Sequence, residues 1–209
     1  MCLIGKAFGQ CPLYPPIVDV WRALLGRVIA EVKGLRIDVQ LVYSRGFGET
    51  RASKWVGDPE ALSRRMTRVS CQGGYAQIRK VLTHVRRESE KGKVNAVVYV
   101  GDRMEEDIAE LSQRAGELGL LGVPMFFFQE GHEPKAERSF KEIARVTRGA
   151  YCHFDAGSAR QLRELLAAVA VYATSGRKAL QNHGAATKSG VAIGLLEQLR
   201  VDASAHTGR

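Results

Sequence analysis

Lys-Val-Asn-Ala-Val-Val-Tyr-Val-Gly-Asp-Arg-Met-Glu-Glu-Asp, residues 93–107, is the stretch whose reading decides the fold. Val94 to Val100 is an almost unbroken apolar run, and Val97, Val98, Tyr99 and Val100 are all good strand formers. A run of this kind suits a strand buried on both faces in the middle of a parallel sheet. Gly101-Asp102 ends it, and Glu105, Glu106 and Asp107 then open a helix at the end where a helix dipole favours negative charge. Open α/β sheets place their ligands just past the C-terminal ends of central strands, so Asp102 is the first candidate functional residue. Its plain structural role would be the N-cap of the following helix.

Strands and helices alternate on either side of this run. Val20, Leu24, Val28 and Val32 recur at helical spacing from Ile17 to a stop at Gly34. Leu35–Tyr43 reads as a strand with Ile37, Val39, Leu41 and Tyr43 on one face. Arg45-Gly46-Phe47-Gly48 makes a turn, and Ser53–Val56 a short edge strand pairing back. Asp58-Pro59-Glu60 starts a helix to about Val69, Ser70–Gly74 is a loop, and Tyr75–Lys91 is the next helix. Beyond the central strand come a helix over 106–118 that buries Ile108, Leu111, Ala115 and Leu118, and a strand over 123–128. A helix over 135–146, a strand over 150–154 and a last helix ending near Ser175 complete the series. Short loops between alternating elements predict an α/β fold with a doubly wound, mainly parallel central sheet flanked by helices. Residues 1–16, broken by Pro12, Pro15 and Pro16, predict a short or atypical first strand. Residues 182–190 are rich in small and polar types, so 176–209 is expected to be a linker and tail with one short helix over 191–200.

The totals limit the function classes. A chain of 209 residues, 45% hydrophobic, supports one good core. Four scattered cysteines without a CxxC pair argue against a zinc site or a disulfide framework and fit a reducing cytoplasm. No apolar run approaches the roughly 18 residues of a membrane span, and the start lacks a signal-peptide layout. The net charge of +9 favours anionic partners, and Arg36–Asn95 holds 13 Lys and Arg against 6 Asp and Glu, most of the surplus. Arg64, Arg65, Arg68, Arg79, Lys80, Arg86 and Arg87 fall on two helices; sharing one face, they would bind nucleic acid electrostatically. Cys71 beside a helix start and Gly73-Gly74 as a phosphate cradle are further candidates, but no base partner, P-loop lysine pattern, HExxH spacing or GxSxG elbow accompanies them. No catalytic constellation emerges, and no enzyme activity is expected.

Four pieces in order resemble the von Willebrand factor A-like domain in its stand-alone bacterial form. They are Val94–Asp102, Leu121–Phe128 (Leu-Gly-Val-Pro-Met-Phe-Phe-Phe), Phe140–Tyr151 and Phe154-Asp155, and the resemblance spans roughly 20–175. It implies a parallel sheet with an antiparallel edge strand and a metal-ion-dependent adhesion site above the C-terminal edge of the sheet. In that family the ion, usually magnesium, takes ligands from an Asp-x-Ser-x-Ser motif, a threonine and an aspartate. Asp102 matches the aspartate, but Ala76 stands where the threonine is expected, and no Asp-x-Ser-x-Ser occurs in the first 40 residues. The resemblance therefore implies a non-enzymatic protein-interaction module with the metal site largely lost, needing no cofactor. Its partner surface would be the top of the sheet, with Ser70, Gly73, Gly74, Tyr75, Arg103 and Glu105 as contact residues. A basic nucleic-acid-associated protein, a domain with residual magnesium-dependent binding at Asp102 and a small α/β enzyme using Asp102 are the alternatives.

Overall fold

The structure is a computed structural model that describes residues 2–7, 37–69, 73–154 and 159–204. The expected helix over 17–33 and the candidates Ser70 and Cys71 lie outside these residues. Six strands form one sheet in the order β3-β2-β1-β4-β5-β6: β1 Cys2–Ala7, β2 Val39–Arg45, β3 Glu49–Ala52, β4 Ala96–Gly101, β5 Met125–Glu130 and β6 Ala150–Phe154. All neighbours pair parallel except β2 and β3, which are antiparallel. The first strand, expected to be short or atypical, spans six residues at the centre, with Ile4 in register with Leu41 on one side and Val98 on the other.

Every residue of β4 is buried, as its β-branched run demands. Its alternation divides the core in two. Ala96, Val98 and Val100 join Phe126 and Phe128 under α1 (Pro59–Thr67), α5 (Ala159–Thr187) and α6 (Gly190–Ser204), through Leu62, Leu165, Val169 and Leu195. Val97 and Tyr99 join Phe127 under α2 (Ile78–Lys91), α3 (Ile108–Leu120) and α4 (Pro134–Val146), through Leu82, Leu111 and Phe140. Tyr99, Phe127 and Phe140 form a triangle with ring centroids 5.0 to 5.6 Å apart, a separation at which aromatic pairs attract beyond their buried area.

Four expectations need correction. The edge strand is Glu49–Ala52 rather than Ser53–Val56, because the turn at Gly46 (φ 58°) reverses the chain tightly enough for pairing to begin at Glu49; Val56 keeps only an isolated bridge to Val39. Asp102 does not cap the helix after β4. Asp107 does, its Oδ1 accepting from the amides of Ala109 and Glu110 at 2.8 and 3.0 Å. Ile108, expected inside, is exposed in that helix's first turn. Finally, 176–187 is no linker. Gly176 adopts φ 76°, a left-handed conformation that glycine takes without steric cost, and the helix resumes beyond this kink. Leu180, Ala192, Leu195 and Leu196 anchor the segment in the core, and a Cβ on Gly184 would stand 3.2 Å from that of Ala192, so the small residues serve a close approach of α5 and α6. Gln198 of α6 then accepts from the Tyr151 amide at 2.8 Å and donates to its carbonyl at 2.9 Å, covering the open edge of β6.

Two truncations test this packing by urea unfolding. Phe127→Ala is expected to cost about 3–5 kcal/mol and Leu180→Ala about 2–5 kcal/mol, values typical of emptied core sites. A neutral Leu180→Ala would mean that the C-terminal hairpin does not dock.

Candidate functional site

Five strands of the parallel sheet end along one rim within the described residues: β1 at Ala7, β2 at Arg45, β4 at Gly101, β5 at Glu130 and β6 at Phe154. The start of α2 is the focus of this rim. Its first amides lack intrahelical partners, and Gln77 at the N-cap offers no side-chain bond to them. Carboxylates from the loop after β4 do so instead. Glu106 Oε2 accepts from the Ile78 amide at 2.5 Å, Glu106 Oε1 from Arg79 at 3.2 Å, and Glu105 Oε2 from Ala76 at 3.0 Å. Charge at a helix N-terminus is favoured by the helix dipole. The Ala76, Ile78 and Arg79 amides at this helix start, where the Gly73-Gly74 turn was a candidate phosphate cradle, are therefore engaged by the chain's own acids.

The turn between β2 and β3 closes the other side. A Cβ on Gly74 would come within 1.8 Å of the Gly46 carbonyl oxygen, so only glycine fits there. Gln77 donates to that carbonyl at 3.4 Å and accepts from Thr50 at 2.9 Å; Lys80 donates to Gly48 O at 2.5 Å. Above this contact Phe47 and Tyr75 meet edge to face with centroids 5.1 Å apart, yet they remain 78% and 57% exposed. Phe47 was not singled out from sequence. A large aromatic held between two turn glycines, with no apolar periodicity to bury it, is the signal that pointed there.

Of the sequence candidates, Gly73, Tyr75, Arg103 and Glu105 are exposed at this rim, while Gly74 and Asp102 are half-buried. The loop after β4 and the Gly73–Gln77 loop are stitched together by the Glu105 and Glu106 bonds. The Gly131–Glu133 loop turns instead toward β6, where His132 stacks on His153 with centroids 4.1 Å apart. Ala76 presents no side-chain oxygen, and among the described residues no group of three or more His, Cys, Asp or Glu is placed to hold a metal ion. Beneath the rim, the Tyr99 hydroxyl is buried without a hydrogen-bond partner among the described residues; burial first, then Glu106, Asp102 and Glu105, push its pKa well up. Burial pushes the pKa of the Cys152 thiol up to about 12, which disfavours the thiolate form that reacts.

The seven basic candidates do not share a face. Leu62 fixes α1, with Arg64, Arg65 and Arg68 on or just beyond it, to one side of the sheet. Ile78, Leu82 and Val85 fix α2, with Arg79, Lys80, Arg86 and Arg87, to the other. Several are also paired: Arg64 with Asp58 and Glu60, Arg86 with Glu90 and Glu117.

Burial raises the Glu106 pKa, an effect that its bonds to the Arg79 and Ile78 amides only partly offset. For an acid with a raised folded-state pKa, the stabilising contribution is complete below the unfolded pKa and is lost as pH rises through the folded one. A carboxyl carbon titration by NMR is expected to place the Glu106 midpoint above that of an ordinary glutamate. In urea melts, wild type should lose stability relative to Glu106→Gln as pH rises through that window.

No protein-family model and no curated protein matches the sequence. Solved structures do match. A von Willebrand factor type A protein from Catenulispora acidiphila superposes with a TM-score of 0.66 at 17% identity, over 81% of this chain and 42% of that one. Proximal thread matrix protein 1 from the mussel byssus, solved with a zinc-occupied MIDAS motif, gives 0.64 at 13% identity, over 81% of this chain and 47% of that one. The SpRpn10 VWA domain gives 0.58 at 10% identity, over 80% of this chain and 93% of that one. The chain thus spans less than half of the first two proteins and nearly all of the third. A central parallel β4, an antiparallel edge strand and two helical layers agree with these likenesses, and the chain has the von Willebrand factor A fold.

Proposed function

We propose that this chain is a non-enzymatic, cytoplasmic protein-interaction module of the von Willebrand A type whose metal site is largely lost. The observation that carries the reading is the exposed Phe47–Tyr75 pair, set on a rigid platform at the sheet rim. Exposed aromatics on a fixed scaffold, bordered by charged side chains such as Arg103 and Glu105, have the composition of an interface hot spot with a polar rim. No helix among the described residues is long and apolar enough to cross a membrane.

The donor set at the rim supports the loss of metal binding. Magnesium needs six oxygens in near-octahedral geometry. Asp102 offers a carboxylate, Ala76, Gly73 and Gly74 offer no side-chain oxygen, Glu105 is engaged by the Ala76 amide and Glu106 by the first α2 amides. The nucleic-acid alternative is weakened by the separation of the two basic helices onto opposite faces of the sheet.

Magnesium titration followed by calorimetry is expected to give no saturable binding. Tight binding that disappears in Asp102→Ala would establish a working site and overturn this part of the reading. For the interface, a photo-crosslinker at Tyr75 should trap a protein partner from native cytoplasm, and Phe47→Ala should reduce the yield roughly tenfold or more, the scale of a hot-spot truncation. Equal trapping from Ile193, which is exposed on α6 away from the rim, would refute the proposed surface.

A further inference from the structure

On the face covered by α2, α3 and α4 the sheet extends beyond the helices to its antiparallel edge. Between β3 and α2 this leaves an open cavity of about 450 Å³. Its floor is Val42 and Ala52, directly opposite each other in the β2–β3 register. Its wall is cationic: Arg79, Lys80 and Arg87 from α2, and Arg114 from α3. Arg51 also borders the cavity, but strand alternation turns its side chain with Tyr43 toward the other face, where it pairs with Glu49. Among the described residues no carboxylate lines the cavity.

We infer that this cavity is a binding site for a small ligand carrying a diphosphate group. Charge and size both favour it. Of the four cations, Arg114 and Arg79 share Glu110, at 3.0 and 3.7 Å, so one negative charge is already met and three positive charges remain. Two adjacent phosphate groups, each bearing roughly −1 to −2, match that remainder, whereas one phosphate leaves cations uncompensated. The volume suits a small molecule and falls within the usual range of about 300–1,000 Å³ for ligand pockets.

The donors are also held in place before any ligand arrives. Arg114 is oriented by two bonds to Glu110 Oε1, at 3.1 and 3.0 Å, and reaches Thr83 Oγ1 at 3.5 Å. Lys80 is fixed by Gly48 O and Gln77 Oε1. Arg87 is exposed and makes no ion pair among the described residues, so its guanidinium is available for the bidentate geometry that phosphate accepts. The Thr50 and Thr83 hydroxyls in the lining donate to Gln77 Oε1 and the Arg79 carbonyl, so the cations carry the recognition. This site adjoins the platform under the aromatic rim through Lys80, and it draws on Arg79, Lys80 and Arg87 of α2 and Arg114 of α3.

Inorganic pyrophosphate is the probe, with the whole chain at low salt, read by calorimetry and by amide shifts of Thr83 and His84. Saturable one-site binding, weakened about tenfold or more in Arg87→Gln and in Arg114→Gln, is the expected result, since a charge-assisted bond contributes at least that much. Arg64→Gln, on the opposite face, should bind as wild type does. Two independent variants, each checked for native circular dichroism, guard against a folding defect. Absent saturation, equal weakening in Arg64→Gln, orthophosphate binding as tight as pyrophosphate, or binding of a short single-stranded oligonucleotide in place of pyrophosphate would each overturn the assignment.

Discussion

A strand buried on both faces imposes more on this molecule than any other feature. Each side of β4 must be kept from water, and a single helical layer covers only one. The alternation of Ala96, Val98 and Val100 against Val97 and Tyr99 therefore calls for two apolar surfaces, and the helices divide between them. Phe126 and Phe128 on one side and Phe127 on the other repeat the division one strand over. With both faces closed, the strand ends are the places where backbone and side chains can still meet a partner.

At those ends the main electrostatic event is internal. A helix start pointing toward a rim would ordinarily attract an anion from outside. Here Glu106 and Glu105 from the neighbouring loop take that position, so the first α2 amides and that of Ala76 hold the loops together instead of a ligand. Burying a carboxyl group to do this raises its pKa, and the same acids help to push up that of the Tyr99 phenol below. The rim becomes a fixed surface on which Phe47 and Tyr75 stand exposed. Exposed aromatics are costly to leave in water, and their rigid support makes them well suited to a partner.

The positive charge of the chain is distributed by the sheet rather than by the sequence. Arg64 and Arg86 are separated in the chain by only a loop and part of a helix, yet α1 and α2 lie on opposite sides of β4. Arg64 and Arg86 themselves sit in surface pairs, each worth roughly 0–1 kcal/mol. A group of cations gathers where α2 overlooks the antiparallel edge of the sheet, which the β2–β3 hairpin extends.

The central strand, the order of elements and the family likeness were legible in residues 93–107 and in the Phe-rich strand that follows, because burial on two faces leaves a continuous apolar run that no other element requires. Asp58 as the start of a helix was legible for the same local reason, its carboxylate accepting from the Glu60 and Ala61 amides. Composition misled at 182–190, where small residues signalled a linker but served a close helix pair anchored by Leu180. What the tertiary structure alone decided was which groups face each other: Glu106 with the start of α2, Phe47 with Tyr75, and the two basic helices on opposite sides. Periodicity states which side of an element is buried, but two helices with equally amphipathic patterns fit either face of a sheet, and only the chain's path through space assigns them.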